Sequence, residues 1–185
     1  MKKTLLTGLF AVASLSAMAQ VTFVNGTLTI TTGPANDAFE IRSINNNNRV
    51  TVIQLIDVPG ANINTRYRGV TNIIVRTNGG DDQVKFVAQG GAHPALDADL
   101  GAGKGTFDIE FIGGQPLVPI TSNIRFTGSS LEDVVNIQML SRANSFLANW
   151  NFDLRDGQNS VQGVITSEVA RSLGVINLTV AGGNR

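Results

Sequence analysis

The chain has 185 residues, 14 Lys and Arg against 14 Asp and Glu, and no cysteine. That balance offers no excess of positive charge to draw nucleic acid or an anionic membrane surface. The missing cysteines exclude disulfides, thiol chemistry and a lipidated N-terminal cysteine.

Residues 1–19 read as a secretory signal peptide. Lys2 and Lys3 form a basic start, Leu5 to Ala17 an apolar middle, and Ala17-Met18-Ala19 a small-residue cleavage site. The apolar run is shorter than the roughly 18 to 20 residues that span a bilayer, so an exported protein is expected, extracellular, cell-surface or periplasmic, with no membrane span. Residues 20–185 then form one domain, and without Lys2 and Lys3 its 12 basic residues face 14 acidic ones.

Val21 to Ile30 alternates around Asn25-Gly26, the dipeptide of a tight hairpin, and would cap the first unit of the fold. A turn follows at Asp37, with Phe39 and Ile41 sharing one face of a strand. A polar loop at Asn45 to Asn48 interrupts the pattern, and Arg49 to Ile56 resumes it as a strand. Arg66-Tyr67-Arg68 would turn both guanidinium groups to one side and the ring to the other, either as an anion or sugar contact or as a solvated strand face with Tyr67 packed.

Asn78-Gly79-Gly80-Asp81-Asp82-Gln83-Val84-Lys85-Phe86 is the clearest unit, a glycine-and-acid turn that breaks into a strand with Val84 and Phe86 on one face. With Asp82 as anchor, the shape recurs at Gly105 with Phe107 and Ile109, at Asp133 with Val135 and Ile137, at Asn159 with Val161, and begins again at Gly182-Gly183-Asn184. Val84, Phe107, Val135 and Val161 are spaced by 23, 28 and 26 residues. Repeats of about 20 to 30 residues signal a solenoid. Phe39 to Val84 spans 45 residues, which points to an inserted excursion.

Between these units, His93 is the only histidine, so no multi-histidine metal site exists, and its place beside Pro94 in a glycine-rich loop predicts exposure. Asp97 and Asp99 alternate on one strand face, either as a carboxylate pair or as an outward polar surface. Ser141 to Asn149 and Thr166 to Leu173, rich in Ala, Ser and Leu, predict short helical corners. Trp150, near Phe146 and Phe152, reads as core rather than as a sugar-stacking platform.

The anchored turns resemble the hemolysin-type calcium-binding repeat of RTX proteins, G-G-x-G-x-D-x-U-x, in Asp37-Ala38-Phe39, Asp82-Gln83-Val84 and Asp133-Val134-Val135. The resemblance implies a β-solenoid whose turns hold calcium, with Asp37, Asp81, Asp82 and Asp133 as the ligands it would use. Here most of the glycines are missing, Gly105 and Asn159 replace the Asp in two units, and the repeat is longer than two nonapeptides. Since calcium takes about six to eight oxygen ligands, the alternative stands beside it: these side chains bond turn backbone and stack as a polar ladder.

The sequence therefore predicts an all-β fold, a parallel β-helix of about five rungs with an N-terminal hairpin cap, or alternatively a β-sandwich. It predicts a structural or adhesive surface module without catalytic residues or a required cofactor. A polysaccharide-binding or polysaccharide-cleaving β-helix is the other reading. Ile176, Leu178 and Val180 precede a last turn without a capping segment, so a second copy or a surface partner is expected at the C-terminal rung.

Overall fold

A computed structural model describes residues 20–44, 49–54, 64–112, 120–139, 145–165 and 173–182. They form 14 strands: β1 (Gln20–Val24), β2 (Thr27–Thr31), β3 (Ala38–Ile44), β4 (Arg49–Gln54), β5 (Asn64–Arg68), β6 (Asn72–Arg76), β7 (Asp82–Gln89), β8 (Ala95–Asp99), β9 (Gly105–Ile112), β10 (Ile120–Thr127), β11 (Asp133–Met139), β12 (Ser145–Asp153), β13 (Ser160–Ile165) and β14 (Leu173–Ala181). The described residues contain no helix, and so none long and apolar enough to cross a membrane.

The strands make two seven-stranded sheets, in the orders β1-β2-β6-β8-β10-β12-β14 and β13-β11-β9-β7-β3-β4-β5. From β6 onward the chain alternates between the sheets strand by strand. Neighbours within each sheet pair in parallel, apart from the β1–β2 hairpin and the β3–β4–β5 meander. This parallel pairing departs from the antiparallel ladders of an immunoglobulin-type sandwich.

Alternation explains the burial. Val84, Phe86, Phe107, Ile109, Val135 and Ile137 all point inward and are buried, as the turn-anchored pattern predicts, while Gln83 on the opposite parity is exposed. Across the core Phe107 stacks on Phe126 with ring centroids 5.0 Å apart. Trp150 is buried beside Phe152 and directs Nε1 to Ser122 Oγ at 3.3 Å, so it belongs to the core.

Asn25 (φ 48°) and Gly26 (φ 78°) form the hairpin turn between β1 and β2, the positive-φ pair that matches strand twist. Phe39 and Val84 are direct register partners despite their separation in sequence, because β4 and β5 leave and extend the second sheet beyond β3. This is the excursion expected from the doubled interval. Phe23 on β1 meets Tyr67 on β5 at 5.7 Å.

One expectation differs from the observed fold. Ser145 to Asn149 is strand, not a helical corner, because hydrogen-bonded neighbours on both sides, β10 and β14, override the local preference of Ala, Ser and Leu. Residues 141–144, the loop at 45–48 and all of the second expected corner, Thr166 to Leu173, except Leu173, which begins β14, lie outside the described residues. So does the signal segment.

Candidate functional site

The turn anchors found in the sequence meet in one column. Asp37, Asp82, Gly105, Asp133 and Asn159 are register neighbours along one edge of the second sheet. Each oxygen-bearing side chain in this column serves the backbone of the preceding unit where such a group is present. Asp82 Oδ1 accepts from Asp37 N at 2.9 Å, Asp133 Oδ1 from Gly105 N at 3.0 Å, and Asn159 Oδ1 from Asp133 N at 2.7 Å. Where Gly105 supplies no side chain, Asp82 N donates to the Lys104 carbonyl at 3.0 Å. Asp81 belongs to a parallel outer line: its N–H meets Asn36 Oδ1 at 2.8 Å and its Oδ1 accepts from Lys104 N at 2.9 Å.

A second column faces the first across the turn, made of the residue five places before each anchor: Thr32, Thr77, Leu100, Gly128 and Leu154. The two columns are complementary in size. A Cβ on Gly128 would collide with Asp133 Oδ2, and a Cβ on Gly105 would press on Leu100 Cδ1 at 2.8 Å and on Asp133 Oδ1 at 2.6 Å. In these two units a large side chain on one side faces glycine on the other, and threonine stands opposite Asp37 and Asp82. Sequence reasoning missed this partner column, although its fixed offset from each anchor was a usable signal.

The calcium ligands implied by the RTX resemblance can be tested against this geometry. Both oxygens of Asp133 are taken up by backbone, Oδ2 receiving Ser129 N at 2.7 Å, and the residue is fully buried. Burial pushes its pKa up against those bonds. Asp82 is also buried, and desolvation pushes its pKa up to about 6, helped by the charges of Asp37 and Asp81. The Thr77 hydroxyl faces the carboxylate and opposes that rise, although neither Thr77 Oγ1 nor Asp82 Oδ2 attains full hydrogen-bond geometry. With Thr32 Oγ1 and Asp37 Oδ2 they make four buried, unpartnered oxygens on adjacent turns. Calcium takes about six to eight oxygens, so these four side-chain oxygens would need turn carbonyls or water to complete a shell. No group of three or more His, Cys, Asp and Glu suited to a metal gathers among the described residues.

His93 is not the exposed loop residue its neighbours predict. Its ring sits edge-on between Phe86 and Phe111, each 6.5 Å away, with Nδ1 at 2.9 Å from Ser43 Oγ. Burial lowers its pKa to about 4, so it is neutral at pH 7. Ser43 is only 3 % exposed, and Nε2 of His93 is buried without a hydrogen-bond partner among the described residues. Arg66 and Arg68 are exposed and Tyr67 packs against the core, the solvated-face alternative. Asp97 and Asp99 point outward; Asp97 pairs with Arg76 at 2.9 Å.

The outer face of the first sheet carries a feature that only the register makes visible. Asn72, Ala95, Asn123, Asn149 and Asn177 form a row across β6, β8, β10, β12 and β14. Asn149 Nδ2 donates to Asn123 Oδ1 at 3.2 Å, and Asn177 Nδ2 to Asn149 Oδ1 at 2.9 Å. At Ala95 the ladder is interrupted. The gap between the carboxamides of Asn72 and Asn123 spans two strand spacings, about 10 Å, and opens a cleft of about 430 Å³ that Ile74, Asp97 and Arg125 also line. Arg76 neutralises Asp97, whereas exposed Arg125 has no carboxylate within ion-pair distance among the described residues. The cleft is therefore open, with an apolar floor that includes Ile74, carboxamides on its walls, and Arg125 beside its register partner Asp97, which Arg76 engages.

No family model, curated protein or solved structure matches the chain.

Proposed function

We propose that the chain is an exported β-solenoid that serves as a structural and adhesive surface module, and that it grips an acidic polysaccharide in the cleft over Ala95. The alternation of strands between two parallel sheets, with register partners one repeat apart, supports the solenoid. The basic start, apolar middle and small-residue end of residues 1–19 support export. The observation that carries the ligand class is the unpaired Arg125 beside carboxamide walls that both donate and accept. A guanidinium suits a sugar carboxylate, and Asn side chains suit neighbouring hydroxyls. No catalytic role is assigned to any residue.

A glycan array probed with residues 20–185, followed by titration of uronate-containing oligosaccharides, tests this reading. Arg125→Gln and the cleft-filling Ala95→Trp are each expected to weaken binding at least tenfold, about 1.4 kcal/mol, without moving the melting temperature. Equal binding of neutral glycans, binding that ignores both variants, or no binding at all would refute it. Release of new reducing or unsaturated ends from the same oligosaccharides would favour the polysaccharide-cleaving reading instead.

A further inference from the structure

The two ends of the fold differ in charge. At the N-terminal end Phe23 on β1 meets Tyr67 on β5, and β5 carries exposed Arg66 and Arg68. At the other end the described sheets are stepped, the first ending on β14 and the second one strand earlier on β13. The core-facing side of β14 is consequently bare. Ile176, Leu178 and Val180 are 37, 44 and 44 % exposed, whereas their partners on β12, Ala148, Trp150 and Phe152, are 0, 3 and 0 % exposed. On β13 the core-facing Gly163 meets open space where its register partner Ile137 is buried. Neither β13 (SVQGVI) nor β14 (LGVINLTVA) carries a charge or a proline, the usual protection of an edge strand.

We infer that this stepped end is a dimer interface occupied by a second copy of the chain, joined as a half-lap. Because the chain runs β12, β13, β14 through turns, facing strands of the two sheets point in opposite directions. A two-fold axis lying between the sheets and along the strands carries β14 of one copy into the position beside β13 of the other that no described strand fills, and the reverse. Each new edge is antiparallel, and the bare faces of the two β14 strands cover each other across a shared core. Simple edge pairing of β14 with its own copy does not achieve this, since it leaves a two-strand gap in both second sheets and the same side chains in water. Head-to-tail stacking would instead set the bare apolar side of β14 against the end that carries exposed Arg66 and Arg68, and it would grow without closing.

The area suffices. Nine residues at about 3.3 Å each give an edge near 30 Å, and two sheets about 10 Å apart with their side chains give a thickness near 20 Å. That is roughly 600 Å² per copy and 1,200 Å² in all, the lower bound of a specific interface.

Sedimentation equilibrium of residues 20–185 over a concentration series provides the test. The expected result is a closed monomer–dimer equilibrium. Leu178→Lys and Gly163→Glu, one on each sheet, should each raise the dissociation constant at least tenfold with unchanged circular dichroism, while Leu147→Lys on the outer face should not. Leu178→Thr, which adds no charge, is the milder second variant if the charged ones fail to fold, and should weaken the dimer at least threefold. A wild-type chain monomeric at about 100 μM, open-ended growth, a dimer indifferent to Gly163→Glu, or equal sensitivity to Leu147→Lys would overturn the inference.

Discussion

Asp133 offers the sharpest separation between a turn that is built by its own side chains and a turn that waits for an ion. Its carboxylate is fully buried and accepts Gly105 N at 3.0 Å and Ser129 N at 2.7 Å. In Asp133→Ala the Gly105 N–H keeps the Glu132 carbonyl at 3.2 Å, so that loss is partial, while no other acceptor stands against Ser129 N. An orphaned buried donor costs about 1–3 kcal/mol, and the weakened bond adds about 0.5–1.5. Against this, burial raises the Asp133 pKa, which means that the ionised group is held at some expense that alanine relieves. The net expectation is a destabilisation of about 2–3 kcal/mol.

Urea unfolding followed by circular dichroism measures this as a shift in midpoint at constant slope. Asp97→Ala, which removes only an exposed ion pair with Arg76, should cost under about 1 kcal/mol and serves as the control. Both measurements are to be repeated with chelator and with millimolar calcium. If Asp133 acts through backbone, its cost is the same in each buffer. A cost that appears only with calcium, or one no larger than that of Asp97→Ala, would refute the backbone role and revive the ligand role implied by the RTX resemblance.

Two further perturbations test the core and the buried titrating groups. Phe107→Ala should cost about 3–5 kcal/mol, because the ring is fully buried and stacked on Phe126, whereas exposed Gln83→Ala should cost under about 0.5; equal urea midpoints for the two would mean that the register is wrong. Asp82, with its folded pKa raised to about 6, binds a proton on folding, so its contribution to stability grows as pH falls from about 6 to 4 and is lost as pH rises through 6; His93, lowered to about 4, does the opposite, its contribution being lost as pH falls from about 6.5 to 4. Asp133, also raised, adds to the Asp82 side of this balance; relative to wild type, Asp82→Asn should lose stability on acidification and His93→Gln should gain it, each about 1–2 kcal/mol after solvent screening is allowed for, and variants that trace the wild-type profile would contradict the assignment.

The inward strand positions were legible because a turn fixes parity. Once Asp82 marks a turn, the second residue after it must face the same way in every unit, and Phe39, Val84, Phe107 and Val135 all lie buried in register. The excursion was legible from the doubled interval between Phe39 and Val84. What the sequence hid was whatever depends on lateral distance. The Ala95 cleft joins residues from five strands, and its outline becomes visible only when Asn72, Asn123 and Asn149 are known to stand side by side. The enclosure of His93 was hidden likewise, because Phe86, Phe111 and Ser43 come from three separate strands of the second sheet. At Ser145–Asn149 local propensity pointed the wrong way, since pairing on both flanks outweighs a few tenths of a kcal/mol per residue.

The irregularity of the repeat has a physical source in the two facing turn columns. A unit keeps its shape as long as one side of the turn supplies bulk or a polar group and the other makes room. Leu100 opposite Gly105 and Gly128 opposite Asp133 are two solutions of the same packing problem. Leu154 with Asn159 is a third, in which Asn159 Nδ2 donates to the Leu154 carbonyl at 2.7 Å. Each solution tolerates a different anchor residue, so an aspartate can be lost at Gly105 without loss of the strand that follows, provided the residue five places earlier changes with it. A metal shell imposes the opposite rule, for it needs the same oxygen donors in successive units and cannot trade one for a leucine. The pairs Thr–Asp, Leu–Gly, Gly–Asp and Leu–Asn fit turns maintained by packing and backbone hydrogen bonds, the reading that Asp133→Ala with and without calcium puts to the test.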